Sequence, residues 1–291
     1  MAKILYVTHG RASRLYSSFG LSRLLVAAGH SVAYVSPAPI ADQVRARGYD
    51  FFSLKRDRRL GEQMAADPMP PVWRLAALIA WLGRRRAMRR QSIADAELER
   101  LVERLAPDLL VIDMELHAAI VATDRLGLPT VLPIGWFTIY RHPCLPPLHT
   151  RLEPGAARWA IELAWLRHRA VSALLRLKSR LWLSRFWTPL TWGTVNIGDL
   201  GALARSRGYP LRERIDASQW LRPHLYRNTP VLTFNARELD LPHQTHPGLH
   251  YIGPMIERGR RETQLDPQDR AAWRDFVQRR AAAKEQRPLV Y

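Results

Sequence analysis

The chain has one cysteine, Cys144, in 291 residues. A disulfide within the chain and a cysteine-based metal site are therefore excluded. A reducing, cytosolic compartment is the simplest setting. Also missing is any run of about 18 uncharged apolar residues, so no transmembrane helix is expected. The nearest approach, Leu75 to Leu82, is short and runs into Arg84-Arg85-Arg86. The opening MAKILYVTHG lacks the apolar segment and cleavage site of a secretory signal. No internal repeat or low-complexity tract occurs. Acidic residues are scarce beside basic ones: 26 Asp and Glu stand against 44 Lys and Arg, a formal charge of +18. Such a surplus suits a polyanionic partner (nucleic acid, an anionic bilayer or a phosphorylated substrate) or serves solubility alone.

Apolar residues are plentiful, at 47%, which supports a folded core. Ile4 to Thr8 reads as a buried parallel strand. Leu21 to Ala28 carries apolar residues at helical spacing and is stopped by Gly29. Ser31 to Ser36 is a second strand. The alternation continues through helix 41–47, strand 49–54, helix 94–105, strand 109–113, helix 118–126 and strand 129–133. Val231 to Asn235 and His250 to Ile252 are the last strands. Strands alternating with helices imply an α/β fold, a Rossmann-like, doubly wound and mostly parallel sheet with right-handed crossovers.

Two segments break the rhythm. Trp73 to Arg90 is an apolar, Arg-rich helix without an acid. Ala157 to Trp187 is a longer one. At about 100° per residue, Trp159, Leu163, Leu166, Ala170, Leu174, Leu177 and Leu181 form one stripe, and Ile161, Trp165, Leu175, Trp182, Leu183 and Phe186 form another. Arginines such as Arg169 and Arg176 border the stripes. One reading docks this helix on an anionic membrane through Trp159, Arg169, Arg176 and Trp182. The other buries it on two sides. Beyond Ile256 the sequence turns polar with one helix near Ala271 to Ala282, as in a linker. The ending Pro288-Leu289-Val290-Tyr291 reads as the first strand of a further domain, cut short. The expected division is 1–254, 255–286 and 287–291.

Several landmarks, in order, resemble the two-domain (GT-B type) nucleotide-sugar glycosyltransferases of the UDP-glucosyl- and glucuronosyltransferase kind. They are Lys3-Ile4-Leu5-Tyr6-Val7, Gly29-His30-Ser31-Val32, Ala106-Pro107-Asp108-Leu109, Leu126-Gly127-Leu128-Pro129, Val195-Asn196 with Gly208-Tyr209-Pro210, Tyr251-Ile252-Gly253-Pro254 and Arg287 to Tyr291. The resemblance implies an N-terminal, acceptor-binding half, inactive alone. It implies transfer from a UDP- or TDP-linked sugar to an acceptor hydroxyl, with no cofactor beyond that co-substrate and no metal; the membrane-docking reading of 157–187 makes that acceptor apolar or lipid-like. The setting expected is cytoplasmic, with peripheral attachment at the inner face of the membrane. The alternative is a catalytically inactive acceptor- or membrane-binding module. A nucleic-acid role has no motif behind it.

Transfer of this kind needs a base for the acceptor proton, and histidine titrates in the right range. A carboxylate then orients the imidazole. Asp113, at a strand end, matches the family's carboxylate position, although strand-end aspartates also cap turns. Counting back from Gly29-His30, the family's histidine falls on Arg14. His9, at the end of the first strand, is either the substitute base or a ring that satisfies a loop backbone group, unless the loop 8–18 is arranged differently. Arg14 either holds an anionic group or solvates the loop. His117, Trp136, Phe137 and Tyr140 are candidate acceptor-pocket walls or core aromatics. Glu115 and His117 lack a third ligand, so a metal is not expected.

Overall fold

The computed structural model describes residues 1–54, 70–71, 73–91, 95–135, 140–148, 150–181, 197–216, 225–241, 243–256 and 267–282. The chain divides into two compact units, Met1–Ile256 and Glu257–Tyr291. Of the second, the described part is one helix, Pro267–Ala282.

The first unit opens with β1 (Lys3–Val7), α1 (Ala12–Ala27), β2 (Ser31–Ser36), α2 (Ala41–Arg45) and β3 (Asp50–Ser53). Next come α3 (Leu75–Gln91), α4 (Asp95–Leu105), β4 (Leu109–Ile112), α5 (His117–Thr123) and β5 (Thr130–Ile134). Then follow α6 (Arg158–Leu181), α7 (Ile197–Ser206), α8 (Leu211–Arg214), β6 (Ile215–Asp216), β7 (Leu225–Tyr226), β8 (Val231–Thr233) and β9 (Leu249–Tyr251). Seven strands form one sheet in the order β3-β2-β1-β4-β5-β8-β9, and β6 with β7 makes a small antiparallel ribbon. Every pairing in the large sheet is parallel. This is the doubly wound Rossmann-like fold expected from the sequence. The order reverses between β1 and β4, the switch point at which such sheets bind ligands.

Central strands buried on both faces read as continuous apolar runs. Two buried clusters result, one built on Leu5, Val7, Leu110 and Ile112, the other on Ile4, Tyr6, Tyr34 and Val111. On the second, the Tyr34 hydroxyl meets Ser22 at 2.7 Å and Ser18 at 3.1 Å. These bonds satisfy buried polar groups and fix α1 on the sheet. Helix α1 starts nine residues earlier than the periodicity of Leu21 to Ala28 suggested. Its first turns face the sheet through Leu15 and Phe19, in a stretch otherwise dense in Ser and Arg.

The landmark residues mostly fasten backbone. Gly29 sits at φ +85 and closes α1, and the His30 ring accepts the Ala2 N–H at 3.3 Å. The Asp108 carboxylate accepts the Lys3 N–H at 2.7 Å. Both tie down the start of β1. Helix α1 carries Gly20 where the chain after β9 crosses it: a Cβ there would lie 2.9 Å from the Met255 Cβ, closer than packed atoms tolerate.

Away from the sheet edge, Glu99 is 3% exposed and pairs with Arg125 at 2.7 Å and Arg207 at 3.0 Å. One carboxylate thus joins α4 to the turn 124–126 and to the end of α7. Removing it leaves the partly buried Arg207 without this counter-charge. Glu99→Ala should lower the melting temperature by roughly 5 °C, read by circular dichroism, with the spectrum at 20 °C unchanged.

Candidate active site

β1 and β4 run side by side with Val7 opposite Ile112. Their next residues, Thr8 and Asp113, therefore emerge together from the C-terminal edge of the sheet. The Asp113 N–H continues the ladder to the Val7 carbonyl at 3.0 Å. His9 follows Thr8 at once. Gly10 then turns the chain at φ +75, packed so close to Ala38 that a Cβ would lie 2.5 Å from it. Only glycine fits both the dihedral and the gap. A small crevice at this edge, too tight to admit a water molecule, is lined by Tyr6, Thr8, Arg14, Asp113, Pro133 and Phe234. Its walls come from β1, β4, β5, the end of β8 and the first turn of α1.

Asp113 is buried, and the Glu115 N–H donates to its Oδ1 at 3.3 Å. Burial pushes the Asp113 carboxyl above its ordinary range, while the Arg14 guanidinium, His9 and that N–H pull it down. Arg14 comes from the first turn of α1. It donates to Glu115 Oε1 at 2.7 Å and lies 4.0 Å from Asp113 Oδ1. Arg11, largely exposed, stands 3.8 Å from the other Glu115 oxygen. An Arg–Glu pair thus flanks the buried carboxylate.

His9 is half-buried. Its Nδ1 is shut off from solvent and has no hydrogen-bond partner. Burial pushes the imidazole below its ordinary value, Asp113 and Glu115 draw it up, and Arg11 and Arg14 press it down. The net direction is below the ordinary histidine value, which favours the neutral form able to accept a proton.

The structure thus groups His9, Asp113 and Arg14 at one edge. His117 lies elsewhere: it begins α5, is buried, and its Nδ1 meets the Tyr226 hydroxyl at 2.8 Å. Neither it nor His9 is among the residues lining the crevice. Tyr140 stacks on His246 with centroids 3.8 Å apart at 7°. Trp136, Phe137 and Trp182 lie outside the described residues. Tyr6, Thr8, Pro133 and Phe234 carried no sequence signal as site residues. Strand-end position in the register was the only clue, and it needs the pairing partner to be known. Among the described residues no group of three His, Cys, Asp or Glu could hold a metal ion.

No protein-family model matches the chain, nor does any curated protein sequence. Solved structures do. The glycotransferase of kitacinnamycin superposes with a TM-score of 0.52 at 19% identity, over 91% of this chain and 54% of that one. Glycosyltransferase VinC in complex with dTDP gives 0.43 at 16% identity, over 84% and 51%. The calicheamicin glycosyltransferase gives 0.42 at 18% identity, over 87% and 53%. The chain spans about half the length of each. It has the Rossmann-like fold found in GT-B glycosyltransferases. The resemblance to UDP-glucosyl- and glucuronosyltransferases in particular gains nothing from this likeness.

Imidazole NMR should find His9 neutral at pH 7 and titrating below ordinary histidine. Asp113→Asn removes a charge that favours the imidazolium, so His9 should titrate lower still. A His9 that titrates at or above the ordinary value would contradict the geometry.

Proposed function

We propose that this chain is the acceptor-binding part of a nucleotide-sugar-dependent glycosyltransferase. It acts on a hydroxyl of an apolar or lipid-like acceptor delivered at an anionic membrane surface, and a UDP- or TDP-linked donor is held by a second domain. The observation that carries the reading is a buried carboxylate and a half-buried histidine, each following its strand, at the switch point of a parallel sheet. The fold shared with glycosyltransferases agrees with it.

In the reaction the acceptor oxygen bonds to the anomeric carbon as the bond from that carbon to the diphosphate oxygen breaks. The acceptor proton passes to the His9 imidazole, and the nucleoside diphosphate leaves with the bonding electrons. Asp113 stabilises the imidazolium. Arg14 tempers that field because its guanidinium stands by the same carboxylate, and Glu115 holds it at 2.7 Å. No step requires a metal when donor phosphates sit on helix N-termini and side chains of the second domain.

One observation favours the second reading, a binding module without turnover. Asp113 is engaged by Arg14 at 4.0 Å, so the carboxylate serves a guanidinium as well as a histidine.

Assayed with a donor-binding domain against UDP- and TDP-linked radiolabelled sugars and apolar alcohols, the chain should support transfer. His9→Ala should slow turnover by about a hundred- to ten-thousandfold with acceptor binding retained. Asp113→Asn should fall in the same range. Near-normal turnover in His9→Ala removes His9 as base. Acceptor binding without any transfer by the unmodified protein selects the binding module.

A further inference from the structure

The membrane element of this reading has a defined surface on α6. The described turns of this helix present two apolar faces. Ile161 and Trp165 are buried, and the Trp165 indole N–H donates to the Leu145 carbonyl at 2.9 Å. This face seats the helix. The opposite face is bare: Trp159 is 73% exposed, Leu163 57%, Leu166 63% and Leu174 66%. With Ala170 they fall within an arc of about 80°. Four large side chains left in water along one line form a contiguous patch, unlike the scattered exposed apolar residues of an ordinary surface.

The borders of that arc decide what covers it. Arg158 and Arg169 lie on one side and Arg167 on the other, all exposed. Glu162 shares the border of Arg158 and Arg169 but is paired with Arg141 at 2.7 Å, so its charge is already offset and the border stays net basic. The sequence adds Arg176, Lys178 and Arg180 before the helix ends at Leu181. The whole chain carries +18. An apolar stripe between basic borders, begun by a tryptophan, matches a boundary where acyl chains meet anionic headgroups. Helix α3 has the same make-up. Leu75 and Ile79 are exposed one turn apart, Leu78 and Trp81 are buried, and Arg84 follows. No helix among the described residues is long and apolar enough to cross a membrane. Contact of this kind is made lying in the interface.

We infer that the outward face of α6, Trp159, Leu163, Leu166 and Leu174 between Arg158, Arg167 and Arg169, docks the protein on an anionic lipid surface. The inference deepens the proposed function by naming its membrane contact, and it stands whether or not transfer is observed.

Vesicle flotation tests it without nucleotide sugar or acceptor. The full chain should float with phosphatidylcholine vesicles containing about one-third phosphatidylglycerol and stay behind with pure phosphatidylcholine. The bound fraction should drop sharply near 0.5 M salt, roughly as screening shortens the reach of the arginines. Leu163→Glu with Leu166→Glu, and separately Arg158→Glu with Arg169→Glu, should each reduce partitioning by about tenfold. All four positions are exposed, so the circular dichroism spectrum and melting temperature should hold. Three outcomes overturn the inference. The unmodified chain fails to float with the anionic vesicles, the Leu variant floats as well as its parent, or light scattering finds a dimer that the Leu variant converts to monomer. The last result gives the face to a second copy of the chain. Each leaves the assignment of His9 and Asp113 to be judged by the transfer assay alone.

Discussion

Two neighbouring strands that end at the same height carry the whole arrangement. β1 and β4 are parallel and in register, with Val7 beside Ile112, so whatever follows each is delivered to one edge. The helices on either side of this pair pack on different buried clusters, α1 and α2 on one and α4 and α5 on the other, as at the switch point of a doubly wound sheet. A histidine following one strand and an aspartate following the other then lie near enough for each to shift the other's proton affinity. Shift the register by one residue and Asp113 turns toward the opposite face. The electrostatics are consequences of that geometry. Burial raises the carboxylate's proton affinity and lowers the imidazole's, and their mutual attraction works against both trends.

The architecture was open to a reader of the sequence because parallel strands leave continuous apolar runs and their crossovers end in glycines. Ser31 to Ser36 is matched residue for residue. The landmarks Gly29-His30 and Pro107-Asp108 pointed to the fold for reasons of backbone geometry: each secures the first strand. The first turns of α1 were hidden, since Ser13, Arg14, Ser17 and Ser18 interrupt the apolar spacing. Arg14 was legible as a departure from a pattern, but its partner Glu115 lies 101 positions away. Only the paired strands bring them together. The same holds for Phe234 and Pro133, which line the crevice through strand order alone. His117 looked like a site residue from its closeness to Asp113 in sequence. Four residues onward, the chain has turned into α5 and carries the ring to Tyr226.

α6 shows how a long helix can be settled by one face and left unsatisfied on the other. The sequence offered two apolar stripes, and each could have been the buried one. Packing chose Ile161 and Trp165, with an indole hydrogen bond and Arg141 over the Trp165 ring at 5.5 Å to its centroid. What remained exposed is large, contiguous and bordered mainly by arginines, with Glu162 on one border held by Arg141. The same surplus of arginine that looked nonspecific as a net value has a location there.

The close passage of Met255 over Gly20 restricts the very helix that presents Arg14. A helix pinned in its middle by a backbone crossing cannot rock toward that segment without displacing it. The guanidinium therefore swings from a braced arm, secured to the sheet by Tyr34 and its serines and to the outgoing chain by the absence of a single methyl. An ordinary alanine at position 20, harmless in most helices, would loosen that bracing and reach the carboxylate pair two turns away without touching it.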